Sequence, residues 1–241
     1  MEPIKIILLL LVGVGGGFVQ RVSGFGLGIF VMLFLPHFIS GHTAAATISC
    51  LFSCGTSTYN AIKYRKHIPF KTVVPLLIAA GIAIPIAVYF SVLVSKGVFE
   101  ILLGTVLIVL SIYFLFFNKK LSIKPTVANG LIAGGIGGAL NGLFSTGGPP
   151  IVLYLTHATV DNMTYFAAIQ FYFCLTNIYA TAMRALNGAV TVEVLVYAAI
   201  GLIGCMVGDL LGKLVFDKLD SERLKQIIYI GMIISGILMI I

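Results

Sequence analysis

The chain has 241 residues, 59% of them apolar and only 10% charged, and its 15 Lys/Arg against 8 Asp/Glu leave a net charge of +7. A soluble domain carries about 25% charged residues, so this composition excludes a soluble domain, a disordered chain and a disulfide-stapled secreted module. It points to an integral membrane protein. The positive charge does not read as a nucleic-acid surface. The basic residues cluster between apolar stretches, at 63–71, 118–124 and 213–225, as loops obeying the positive-inside rule do.

The N-terminal apolar run lacks both a strongly basic start and a small-x-small cleavage site. We read it as a retained membrane segment, not a signal peptide. It leads into residues 22–62, which hold no charge over 41 positions. Ordinary spans follow at 72–95 and 101–118, with 24 and 18 uncharged residues, each enough to cross a core about 30 Å thick. The second half repeats the plan. Residues 125–160 form another uncharged stretch, 36 long, and a helix of that length would run roughly 54 Å at 1.5 Å per residue. The stretch at 162–183 makes one span, and 194–208 and 226–241 extend through their flanks to two more. The two overlong stretches must be broken.

The breaks occupy matching places. Residues 13–36 read GVGGGFVQRVSGFGLGIFVMLFLP and 134–157 read GGIGGALNGLFSTGGPPIVLYLTH. An offset of 121 residues sets Gly17 on Gly138, Gln20 on Asn141, Gly26 on Gly147 and Lys63 on Arg184. Two membrane repeats, 1–118 and 122–241, account for this within one transmembrane domain. If each break turns the chain back between two short helices, the segments fall near 4–20, 25–40, 42–61, 73–94 and 98–117, then 127–142, 147–160, 163–184, 192–212 and 223–241. The basic loops then place 11 Lys/Arg on one side against 3 (Lys5, Lys96 and Arg184) on the other. Eight unbroken spans would divide them 9 to 5, a weaker bias. The expected fold is therefore an all-α polytopic membrane protein. It has two inverted repeats of about five helical segments each, with broken or re-entrant first segments.

Gly- and Pro-interrupted segments at matching places of two halves mark the binding site in secondary transporters, because unwound backbone at membrane depth must be covered by protein or line a wet cavity. The first break offers Gln20, Arg21, Ser23, Gly24 and Gly26, and the second Asn141, Ser145, Thr146, Gly147 and Gly148. Arg21 lies within a long apolar region, where an Arg costs about 2.5–3.5 kcal/mol on insertion scales. Its fork of donors suits an oxyanion; snorkelling or a structural role is the bland alternative. Two helix starts facing these breaks would add partial positive charge, although Ser145 and Thr146 also read as ordinary caps. Gln20, Asn60, Gln170 and Asn177 read first as interhelical hydrogen-bond formers. Cys50 and Cys54, four apart on one helix face, read as packing residues. No metal or other cofactor is called for. No carboxylate pair or Ser/His/Asp spacing suggests an enzyme, and no obvious buried acid marks a coupling proton.

At both breaks the chain resembles the sulfite exporter TauE/SafE family, also called toluene-sulfonate uptake permeases. The run SGFGLG at Ser23–Gly28 and, more strongly, LFSTGGPPIVLYL at 143–155 carry the resemblance, and the two-half layout extends it over the chain. It implies a permease for sulfite, sulfonates or related small sulfur-containing anions in a prokaryotic plasma membrane. The expected partners are thus a small anionic substrate and the lipid bilayer, with no nucleic acid. The coupling ion, direction and oligomeric state stay open, and a channel using the same breaks is the alternative.

Overall fold

The computed structural model describes residues 3–117, 123–215 and 221–241, with side chains throughout except at 117, 215 and 221–228. Lys119, Lys120 and Lys218 of the basic loops, and the side chains of Arg223 and Lys225, therefore lie outside the described residues. All the regular structure described is helical. The first half comprises α1 (Pro3–Ser23), α2 (Leu27–Phe38), α3 (His42–Lys63), α4 (Phe70–Leu93) and α5 (Lys96–Ile112), which runs on into a π turn. The second comprises α6 (Val127–Phe144), α7 (Gly148–Ala158), α8 (Asn162–Leu186), α9 (Val192–Val215) and α10 (Ser221–Ile240). Both overlong stretches are broken where the glycines stand, at 24–26 and 145–147. Among the described residues, six helices are long and apolar enough to span a membrane, and α2 is a shorter apolar helix of 12 residues. The chain is an all-α, multi-pass membrane protein.

Composition explains which helices meet lipid. α4 and α9 turn Ile78, Ile82, Ile86, Ile203 and Leu210 outward, apolar surface that only hydrocarbon solvates without cost. α3 is rich in Ser, Thr, Cys and Asn, and it buries Thr47, Ser49, Ser53, Thr56, Ser57 and Asn60. It is accordingly an inner helix, packed on α8, which buries Gln170, Thr176 and Asn177. Much of the polar content is consumed locally, with Thr47, Ser57, Ser111 and Thr176 bonding carbonyls one turn earlier.

The tightest seams join helices from opposite halves of the sequence: α1 packs along α9, and α4 along α6. Small residues permit this. A Cβ on Gly17 would stand 2.1 Å from the Cys205 carbonyl oxygen, one on Gly208 2.0 Å from that of Val14, and one on Gly134 2.3 Å from that of Leu76. Backbone against backbone at this range is the small-residue packing that substitutes for hydrophobic driving force in lipid. The result is two groups of four helices. One holds α1, α2, α3 and α9; the other holds α6, α7, α8 and α4. They meet mainly through α3 and α8, while α5 and α10 pair beside them. Exchanging the two halves of the chain maps the main pairings onto one another.

Candidate functional site

The two breaks are built alike. The Gly24 N–H donates to the Gln20 carbonyl at 2.8 Å, and the Ser145 N–H to the Asn141 carbonyl at 2.9 Å, the same bond at the offset of 121. Gly24 takes φ +79° and Ser145 φ +60°, the left-handed conformation that ends a helix by turning the chain aside. Glycine adopts it freely. Ser145 does not, and it is the one described non-glycine residue with positive φ, a strain of the sort that clusters at functional sites.

The breaks then press together. A Cβ on Gly28 would fall 1.9 Å from the Ser145 carbonyl oxygen, so only glycine lets α2 start here. In α2 the Phe30 N–H already bonds to Gly26, which leaves the N–H groups of Leu27, Gly28 and Ile29 ahead of the helical ladder. α7 starts at Gly148 with prolines in its first turn, which supply no N–H but fit that position. Two helix starts thus face one central cavity of about 20 Å³, roughly the room one water needs. Gln20, Ser53, Asn141, Asn177 and Phe173 complete its wall.

Two hydroxyls there stand out. Ser145 Oγ and Thr146 Oγ1 are buried without a protein hydrogen-bond partner, and both residues line the cavity. The surrounding amides are, by contrast, paired. Gln20 donates to Gln170 Oε1 at 3.2 Å and accepts from Thr56 at 2.8 Å; Gln170 donates to the Gly24 carbonyl at 2.9 Å. Asn141 donates to Asn177 Oδ1 at 3.1 Å. These bonds tie each break to α3 or α8. The Thr56–Gln20 and Asn177–Asn141 bonds are repeat equivalents, each spanning 36 residues.

Of the residues singled out in the sequence, Gln20, Gly26, Asn141, Ser145, Thr146, Gly147 and Gly148 are gathered around this cavity. Arg21, Ser23 and Gly24 are not. They line a larger cavity of about 390 Å³, with Tyr64, Tyr165 and Phe166, and the Arg21 guanidinium sits 5.9 Å from the centre of the Phe166 ring. Gln20 and Arg21 are neighbours on a helix and so point in different directions. The Ser23 hydroxyl is engaged with the carbonyls of Val19 and Phe25. A second cavity, of about 350 Å³, shares Ser23 and Tyr165 and includes Asp161. Phe25 lines both it and the central cavity. Asp161 caps α8, accepting from the N–H groups of Met163 and Thr164 and from the Thr164 hydroxyl. These bonds hold its carboxyl below the usual carboxylate range.

Sequence reasoning underrated Ser53, and also Thr56 and Asn177, a pair whose equivalence at the offset of 121 was a usable signal. It also misread Arg184. Counted there as a loop charge, Arg184 is 1% exposed, its Nη2 donating to the Gly142 carbonyl at 2.7 Å and more weakly to that of Asn141 at 3.4 Å. A cation thereby closes the C-terminal end of α6, where the helix dipole is negative.

A probable sulfite/organosulfonate exporter TauE from Cupriavidus necator is 27% identical over 208 residues, covering 82% of this chain and 79% of the relative. No solved structure matches. A family profile, described as sulfite exporter TauE/SafE, matches residues 9–239, and by that match over nearly its whole length this chain belongs to the TauE/SafE family of transporters.

Proposed function

We propose that this protein is a secondary transporter that moves a small sulfur-containing anion, such as sulfite or an organosulfonate, across a prokaryotic plasma membrane by alternating access. The observation that carries the reading is the pair of buried, unpartnered hydroxyls, Ser145 Oγ and Thr146 Oγ1, beside two helix starts. Donors without acceptors, in a field of positive sign, suit an oxyanion. The family match and the name of the relative support sulfur oxyanions as the class. The central cavity holds no more than about one water, so the conformation is an occluded one, with the larger cavities on the Arg21 side. That closure favours a carrier over an open channel.

The two repeats, 1–118 and 122–241, supply the two states. Rocking one sequence half against the other would tear the α1–α9 and α4–α6 seams. The moving units are instead the two exchanged four-helix groups, which slide or tilt along the α3–α8 contact and open the central cavity to either side. Arg21 attracts the anion in the cavity that precedes the centre. The test is counterflow in proteoliposomes loaded with sulfite or a small sulfonate, comparing wild type with Arg21→Gln. Saturable counterflow weakened in the variant is expected. Flux that neither saturates nor shows counterflow would refute the carrier, and an unchanged variant would remove Arg21 from the path.

A further inference from the structure

We propose that Arg184 is the anion-binding side chain of the opposite mouth of this pathway, masked in the present conformation as a latch on the end of α6; the inference rests on the transporter reading. Arg184 heads the fully buried side chains by volume. It has no ion-paired acid: among the described residues the ion pair present is Lys96–Glu100. Its Nη2 caps Asn141 and Gly142, while Nε and Nη1 meet no oxygen or nitrogen of the protein and have only the thiol of Cys50, a weak acceptor, close by. A buried cation with idle donors carries a penalty of several kcal/mol. Capping two carbonyls does not require it, since a lysine or an asparagine supplies donors enough. Idle guanidinium donors are the chemistry that takes up a small oxyanion.

Its position fits. Arg184 lies seven residues beyond Asn177 on α8, two turns along the same face and about 10 Å from the central cavity wall. Thr181 lies between them on that face, and Cys50 Sγ from α3 reaches Asn177 and Thr181. Asn177 and Arg184 are buried here and Thr181 is half-buried, whereas the two larger cavities lie at the other end of α8, beside Asn162 and Tyr165.

The repeat supplies the second state. At the offset of 121, Arg184 corresponds to Lys63, and the carbonyls it caps, Asn141 and Gly142, correspond to those of Gln20 and Arg21. Lys63 is exposed, 5.5 Å from the centres of the Tyr59 and Tyr64 rings. Tyr64 borders the larger cavity. One cation is exposed on the side of the larger cavities, and its counterpart is buried on the other side. In the opposite-facing state the roles exchange. Lys63 closes onto the end of α1, and Arg184 swings free to meet the anion.

The test uses full-length protein in oriented proteoliposomes, with sulfite as the probe on each face in turn. Arg184→Gln is expected to raise the half-saturating sulfite concentration about tenfold or more on the face at the C-terminal end of α8 alone, and Arg184→Lys to restore most of it. An equal loss on both faces, or none, would overturn the proposal, since a purely structural cap has no sidedness. A second reading does not depend on the substrate. Thr181→Cys, one turn before Arg184, in a background lacking the four native cysteines, is expected to react with an impermeant thiol reagent applied from that face. A thiol that stays unreactive overturns the release of this mouth even where sulfite counterflow is intact. Absence of sulfite counterflow in reactive protein would instead refute the substrate class.

Discussion

Thr146→Val is the sharpest probe of the proposed anion site, because stability and binding should move in opposite directions. Valine matches threonine in shape, and the hydroxyl it removes is buried without a protein partner. The variant therefore sheds a desolvated polar group and breaks no hydrogen bond. Leaving such a group unsatisfied costs about 1–3 kcal/mol. The central cavity, at about 20 Å³, has room for a water that offsets part of this, so a gain of about 1 kcal/mol in the anion-free protein is the expectation. Binding should suffer. A hydrogen bond to a charged partner is worth about 1.5–3 kcal/mol, which converts at 1.36 kcal/mol per decade to a roughly 13- to 160-fold weaker affinity. Thermal unfolding in detergent with and without saturating sulfite measures both numbers. Wild type should gain stability from the anion, and the variant should start higher and gain less. A variant less stable than wild type with unchanged anion stabilisation would refute the reasoning, since the hydroxyl would then be serving the fold.

Other perturbations separate the remaining elements. Gly28→Ala drives a Cβ to 1.9 Å from the Ser145 oxygen, where ordinary contact starts at 3.4 Å; a loss of about 1–3 kcal/mol is expected. Gly135→Ala, whose Cβ meets nothing within 4 Å, should gain up to about 1 kcal/mol from helix propensity, and equal effects of the two on unfolding would contradict the packing of the breaks. Asp161 has a lowered carboxyl pKa, so its cap contributes above the ordinary Asp value of about 3.9 and is lost as pH falls through the lower folded value. The deficit of Asp161→Asn in melting temperature should therefore shrink as pH drops below about 4, and a pH-independent deficit would contradict this. Thr58 Oγ1 lies 3.4 Å from Cys174 Sγ across the α3–α8 contact. Thr58→Cys, oxidised onto Cys174, should stop counterflow until reduced, and transport that survives the cross-link would exclude motion at that contact.

The fold was legible because lipid imposes few choices. Runs too long for one crossing had to break, and glycines marked where. Helix α1 nevertheless runs to Ser23, beyond the expected end near 20, since nothing in its glycine-rich turn signals a stop before the left-handed Gly24. The site was half legible. Ser145, Thr146 and Gly148, singled out because a polar run in an apolar stretch has to be covered, do line the central cavity. Arg21 was misplaced: being next to Gln20 in sequence put it in the same break, but a step of one residue along a helix turns the side chain by about 100°. Arg184 was missed for a different reason. A basic residue near a span end normally snorkels to water, but the approach of α6, with Cys50 of α3 beside it, buries this one. Such an approach is tertiary, decided by Gly134, Gly138 and Gly142 against α4, and no local pattern around Arg184 announces it.

The placement of the cations bears on how a carrier can release what it binds. A guanidinium at the centre would hold an anion strongly and, once emptied, would stand unpaired at membrane depth at a cost of several kcal/mol. Every return of the empty protein would add that penalty, at the point where the path is narrowest, to the one the buried Arg184 already carries. Hydroxyls and helix starts behave differently. Their field is positive when an anion is present, while an empty site leaves only neutral groups exposed to a desolvation cost of about 1–3 kcal/mol each. The structure keeps Arg21 in the cavity before the centre and Arg184 about two turns beyond Asn177, so full charges flank a neutral middle. On the proposed reading, an anion would be drawn in from either mouth, pass through a site that binds it only while it is enclosed, and leave without breaking a central ion pair, which would meet the requirement that binding be firm enough to select and weak enough to let go.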